Sequence, residues 1–128
     1  MDNKIRFRPQ RLRANSTLRK LSCETYISVD DLIYPIFIKS KILDKQEIPS
    51  MPGIYQHSHE SVLKEIRTAV DMGLNSFMLF GIPSKKDKTG SMAFSDEGVI
   101  QIALRKIKKE FPDVFLITDL CMCEYTSH

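Results

Sequence analysis

Apolar positions in this chain fall into three short continuous runs, separated by two stretches of helical period. Residues 31–39, DLIYPIFIK, are β-branched, aromatic and apolar almost throughout, as in a strand buried on both faces. Pro35 removes a ladder donor there and points to a strand edge or an irregularity. Pro49, Pro52 and Gly53 then break the chain, so IPSMPGIYQHS reads as loop. Over residues 59–73, Val62, Leu63, Ile66, Ala69 and Val70 share one helical face. Ser58 is a candidate N-cap, Glu60 suits the first turn and Gly73 the C-terminal stop. The second apolar run, SFMLFGIP at 76–83, leads into the polar loop SKKDKTGSMAF. A second helix opens at Ser95, with Asp96 and Glu97 in its first turn. It carries Val99, Ile100, Ala103, Leu104, Ile107 and Phe111 at helical spacing and ends in Lys106, Lys108 and Lys109 before Pro112, the charge order a helix dipole favours. VFLITDLC, residues 114–121, is the third run.

The order strand, helix, strand, helix, strand predicts parallel βαβ units in an α/β fold. Right-handed crossovers place the three strands in one sheet. Both helices cover the same face only if such a sheet curls toward a barrel, and three strands with two helices are too few to close one. The pattern therefore predicts an unfinished α/β domain over residues 29–128, too small also for a doubly wound sheet with both faces covered, with an unpaired sheet edge and uncovered apolar surface that favour aggregation or a partner chain.

Composition narrows the class. The chain has 128 residues and 42% apolar content, enough for one small domain. No apolar run reaches membrane-spanning length, and the N-terminus lacks the apolar segment of a secretory signal. Three cysteines, with Cys23 far from Cys121 and Cys123, do not form a secreted disulfide framework, so a reducing, cytoplasmic setting is expected. Charge is uneven. Lys4, Arg6, Arg8, Arg11, Arg13, Arg19 and Lys20 face only Asp2 in the first 20 residues. Residues 1–28 read as a basic arm without a sustained period. Such an arm suits nucleic acid, a targeting peptide or a neighbouring subunit. Pro9 and weak amphipathicity disfavour targeting, and the absence of aromatic interleaving disfavours nucleic acid, so packing on a subunit is the favoured role.

Candidate chemistry gathers at the end of the third run. Alternation along a strand puts Asp119, Cys121 and Cys123 on one side or just past its carboxyl end, where parallel α/β folds place ligands. Two cysteines at i, i+2 can grip a soft cation, usually zinc, but zinc needs a third protein ligand, for which His128 is a candidate. The residues alone leave open the alternative of two buried, inert thiols. Asp119 reads equally as a polar group at a site mouth or as a turn cap. His57 and His59 precede a helix and read as solvated. Lys85, Lys86 and Lys88 lie in a polar loop; a catalytic lysine needs desolvation or a cationic neighbour, which leaves this cluster a candidate, but a solvated, mobile loop is the favoured reading.

Several stretches together resemble porphobilinogen synthase, the delta-aminolevulinic acid dehydratase family. They are RFRPQRLR and LRKLSCET in the arm, DLIYPIFI, IPSMPGIYQHS, FMLFGIP, GSMAFSDEGVIQIALRKIK and ITDLCMCEYTSH. The resemblance runs from about residue 6 to the last. It implies part of a TIM (β/α)8 barrel, here the first three strands and two helices, with an extended N-terminal arm through which subunits assemble, commonly as an octamer. It implies condensation of two 5-aminolevulinate molecules to porphobilinogen with loss of two waters, in haem and other tetrapyrrole synthesis. Cys121 and Cys123 match the first two ligands of a catalytic zinc, whose third cysteine falls just beyond His128. Asp119 matches the acid at the active-site mouth, and Ser127 and His128 share its loop. The two Schiff-base lysines of the family lie further along, with no matching position here, so this chain alone is expected to be inactive. An allosteric magnesium occurs in many members. The alternative is an inactive truncated remnant that associates with full-length subunits through its arm.

Overall fold

The computed structural model describes residues 10–128, so the first part of the basic arm lies outside the described residues. The arm has local structure that the absence of a period concealed. A 3-10 turn at Arg11–Arg13 precedes a short helix, α1 (Ser16–Leu21), whose N-cap Asn15 accepts from the Leu18 N–H at 2.9 Å. No residue between 10 and 33 is buried, so this segment adds nothing to the core.

Strand β1 (Tyr34–Lys39) starts later than its apolar run, because Val29–Asp31 forms a 3-10 turn closed by reciprocal Ser28 and Asp31 bonds. Two further strands then appear: β2 (Lys45–Glu47), in a stretch where the sequence predicts no element, and β3 (Tyr55–His57), inside the segment 48–58 that reads as loop. Each spans three residues, and β2 is exposed throughout, so neither carries an apolar signal. Backbone pairing alone defines them. Helix α2 (Ser61–Asp71), strand β4 (Ser76–Ile82), helix α3 (Val99–Glu110) and strand β5 (Phe115–Thr118) follow.

Among the described residues the sheet therefore has five strands, not three, in the order β2-β3-β1-β4-β5. β1 pairs in parallel with β3 and β4, β4 in parallel with β5, and β2 antiparallel with β3. β1 is central but parallel to both neighbours, so it is not the central antiparallel strand that Pro35 argues against. β3 reaches only Phe37 and Ile38, so Pro35 lies where β1 has a single neighbour in register, β4.

Helix α2 has a cap at each end, whereas the N-cap of α3, Gly98, has no side chain to bond. The Ser58 hydroxyl accepts from the Ser61 N–H at 3.1 Å, as its N-cap reading required, and Gly73 ends α2 at a φ of 92°. Helix α3 begins at Val99 rather than Ser95. Residues 95–98 make a separate turn, with the Gly98 N–H donating to the Ser95 carbonyl at 2.8 Å. The core is one cluster. Ile36 and Ile38 of β1 and Phe77 and Leu79 of β4 meet Val62, Ile66 and Ala69 of α2 and Val99, Ala103 and Ile107 of α3. Burying each large aliphatic or aromatic side chain contributes roughly 1.5–3 kcal/mol before entropy is counted.

Alternation puts Phe37, Met78, Phe80 and Ile82 on the opposite sheet face, where they are only half-buried. Phe37 and Phe80 stack there with centroids 5.4 Å apart. Both helices thus cover one face, and the other remains apolar and open. No helix among the described residues is long and apolar enough to cross a membrane.

Candidate functional site

The carboxyl ends of β1, β4 and β5 point the same way, and the predicted site residues lie just past the last of them. The strand expected over 114–121 ends at Thr118, and the chain turns away from the sheet. A turn over residues 122–126 follows, in which the Tyr125 and Thr126 N–H groups both donate to the Met122 carbonyl at 2.9 Å. Asp119 is exposed, Cys121 half-buried and Cys123 exposed, which sets aside the reading of two buried thiols. Cys121 lines a cavity of about 230 Å³ between this segment and α3, together with Asp119, Met122, Ile100 and Gln101. The Cys123 thiol ionises above its ordinary pH, first because of its side-chain hydrogen bond with Cys121 and then through desolvation and nearby negative charge.

Paired thiols at this edge are soft donors of the kind zinc takes, so they fit two positions of a zinc site. Among the described residues no group of three His, Cys, Asp or Glu is gathered to hold a metal. Neither His128 nor Asp119 therefore joins the pair as a third donor.

The turn is held by a part of the chain that the sequence presented as a solvated lysine-rich loop. Between β4 and α3, the Asp87 N–H donates to the Tyr125 carbonyl at 3.2 Å and the Ser127 N–H donates to the Asp87 carbonyl at 3.0 Å. Asp87 and Thr126 form a parallel bridge. The Lys86 ammonium donates to the Cys123 carbonyl at 3.2 Å. Lys85, Lys86 and Lys88 are all exposed, as expected, and without the burial that activates a catalytic lysine.

Asp87 organises this loop. Its Oδ1 accepts from the Thr89 N–H, the Thr89 hydroxyl and the Ser91 N–H, each at 3.0 Å, and its Oδ2 accepts from the Ser91 hydroxyl. Those donors, Ser91 foremost, hold its carboxyl well below the usual carboxylate range. Gly90 follows at a φ of 64°, where a side chain would strike Met122 Cε at 2.4 Å. Tyr125 is 9% exposed and joins the core over Gly81. Burial, followed by the charges of Glu124 and Asp119, raises its phenol pKa.

The two histidines correct the sequence reading. His57 is 4% exposed because β3 pairs into the sheet, and desolvation, its largest cause, lowers its pKa. His59 is half-buried, and its Nε2 bonds the Val99 carbonyl at 3.0 Å, joining the start of α2 to the start of α3. Neither lies in the thiol segment.

A family profile described as "Delta-aminolevulinic acid dehydratase" matches residues 6–128. This chain belongs to that family. A delta-aminolevulinic acid dehydratase of Ruminiclostridium josui is 48% identical over 121 residues, spanning 94% of this chain and 59% of the relative. One of Archaeoglobus fulgidus is 48% identical over 125 residues, spanning 98% of this chain and 38% of the relative. The fold is also similar to the crystal structure of delta-aminolevulinic acid dehydratase (porphobilinogen synthase) from Toxoplasma gondii ME49 in complex with the reaction product porphobilinogen. That match has a TM-score of 0.88 and 34% identity, covering 97% of this chain and 36% of the solved one. The chain thus spans between about a third and three-fifths of the length of these dehydratases.

Proposed function

We propose that this chain supplies the first βα units of a porphobilinogen synthase whose (β/α)8 barrel is completed by further polypeptide. In that reading the intact protein condenses two 5-aminolevulinate molecules to porphobilinogen, releasing two waters, in the cytoplasm. The observation that carries the reading is the open apolar face of Phe37, Met78, Phe80 and Ile82, with a thiol pair at the carboxyl edge of the same parallel sheet. Active sites of βα barrels lie at that edge. The match to a dehydratase structure holding porphobilinogen supports the same assignment.

Cys121 and Cys123 are the residues that hold zinc, as two donors of a set completed outside the described residues. Zinc bound there supplies a Lewis acid that polarises a substrate carbonyl or lowers the pKa of water. Asp119, exposed beside the cavity under Cys121, stands at the mouth and can accept a hydrogen bond or proton from bound substrate. The lysines that would form Schiff bases have no counterpart here, since Lys85, Lys86 and Lys88 at this edge are exposed and Lys86 is bonded to the Cys123 carbonyl. The wholly unburied segment 10–33, with Leu21, Tyr26 and Ile27 strongly exposed, suits an arm that packs on a second subunit in a homo-oligomer such as an octamer. A regulatory magnesium belongs to this reading only by analogy with other members.

A complementation assay tests the proposal. The chain is incubated with 5-aminolevulinate and zinc, alone and with the separately expressed C-terminal part of a family member. Porphobilinogen is expected only when both polypeptides are present, and Cys121→Ser should suppress it. Product from the chain alone contradicts the absence of the lysines. No product from the pair favours the remnant reading, in which the chain at most associates with complete subunits.

A further inference from the structure

We propose that Asp87 is a positioning residue for the thiol pair, setting the place of the turn that carries Cys121 and Cys123 by fixing the backbone to which that turn is bonded. The inference deepens the reading of the thiols as metal donors and takes its functional sense from it.

The turn needs such a holder. β5 ends at Thr118, three residues before Cys121, so the sheet ladder does not reach either cysteine. Tyr125 anchors the turn by burial, but an aromatic ring in a core does not by itself set the position of a backbone four residues earlier. The directional contacts come from the β4–α3 loop. The Asp87 N–H and carbonyl pair with Tyr125 and Ser127, and the neighbouring Lys86 ammonium reaches the Cys123 carbonyl at 3.2 Å.

Asp87 can offer those groups only if its own loop is rigid, and its carboxylate provides the rigidity. It collects two N–H groups and two hydroxyls from Thr89 and Ser91, closing the loop back on itself. Charge-assisted bonds of this kind are stronger than neutral ones. Gly90 then turns the chain at positive φ, and Met122 packs where a Cβ would otherwise stand. Carboxylate, loop backbone, turn backbone and thiols form one chain of contacts. Groups that orient metal ligands in this way typically change metal affinity by roughly 10–100-fold when removed.

The test uses the full 128-residue chain carrying Cys23→Ser, so that only the two thiols of interest remain. Two probes are titrated: cadmium(II), read by thiolate-to-metal absorption, and phenylarsine oxide, which binds paired thiols without needing a metal site. Asp87→Ala should weaken both by roughly 10–100-fold. Asp87→Asn, which keeps an acceptor for the Thr89 and Ser91 N–H groups, should recover most of the loss. Ile107→Val, a core change away from the turn, should lower stability without moving either affinity.

Parent-like binding of both probes by Asp87→Ala overturns the proposal, as does an equal loss in Ile107→Val. If the parent binds the arsenical but not cadmium, the metal reading fails and the arsenical series still decides the positioning role. A measurement on the parent needs no folded variant. The Ser127 amide, which donates to the Asp87 carbonyl, should be protected from hydrogen exchange, and free exchange there overturns the proposal.

Discussion

Gly81 is the position where a single methyl group should be most informative. It lies near the end of β4 with its Cα toward α3, and a Cβ built there meets Ile100 Cγ1 at 2.6 Å, Tyr125 Oη at 2.6 Å and Val99 Cγ1 at 2.9 Å. Ile100 is half-buried and can yield, and Tyr125, 9% exposed, borders the cavity of about 230 Å³, but Val99 is 2% exposed and does not line it. Gly81→Ala therefore pushes the first turn of α3 and the Tyr125 ring away from the sheet. Overpacking of this kind costs about 1–3 kcal/mol. Alanine is intrinsically better than glycine inside a strand by roughly 0.5–1 kcal/mol, which offsets part of that cost. The net loss expected is about 1–2 kcal/mol. Urea unfolding followed by far-UV circular dichroism should show it as a midpoint lowered by about 1 M, given slopes of roughly 1–3 kcal/mol/M for small proteins. Tyr125→Phe removes one of the three obstructing atoms, so the double variant should be less unstable than the sum of the two singles. A midpoint unchanged or raised by Gly81→Ala refutes the close-approach argument, and strict additivity in the double variant refutes the part played by the phenol oxygen.

Two pH predictions follow from buried rings. Tyr34 donates to the Glu65 carboxylate at 2.9 Å, and burial, then that bond and the carboxylate charge, push its pKa from 10.0 to about 12. The folded state holds this proton more tightly than the unfolded one, so stability should fall as pH rises from 10 toward 12, and Tyr34→Phe should flatten that fall in urea midpoints taken across the range. His57 has the opposite sign: burial lowers its pKa below 6.5, so the unfolded chain takes up the proton first and stability should drop as pH falls through that value. His57→Gln should remove the slope between neutral and mildly acid pH, and an unchanged slope shows that other groups cause it.

What the sequence disclosed divides along physical lines. β1, β4 and β5 were legible because each lies in a continuous apolar run, and α2 and α3 because their apolar faces keep a helical period over eleven and twelve residues. β2 and β3 were not. Three-residue strands bearing Lys45, Gln46 and Glu47 or Tyr55, Gln56 and His57 show no alternation, and their pairing is a property of the backbone. The burial of His57 was missed for the same reason, since a residue read as loop is taken to be solvated. In the site, the thiols announced themselves by spacing and by the end of an apolar run. Asp87 did not, because an acid among three lysines looks like a solvated charge. Its signal was the turn chemistry of DKTGS: an acceptor two residues before a threonine and four before a serine, with a glycine between them.

The open parts of the fold and of the site lie on the same side of the molecule. Among the described residues β5 has β4 on one edge and no strand on the other, and Phe115, on the face away from the helices, is 63% exposed. Leu120, just past the strand, is fully exposed, and the thiol pair beside it is not joined by a third His, Cys, Asp or Glu among the described residues. A further strand paired in parallel with β5 would cover that edge, extend the face bearing Phe37 and Phe80, and bring its own carboxyl end beside Cys121 and Cys123. Backbone pairing and apolar burial thus call for one and the same element. This is why the proposed function is tested by adding polypeptide to the chain rather than by searching within it for the missing ligand.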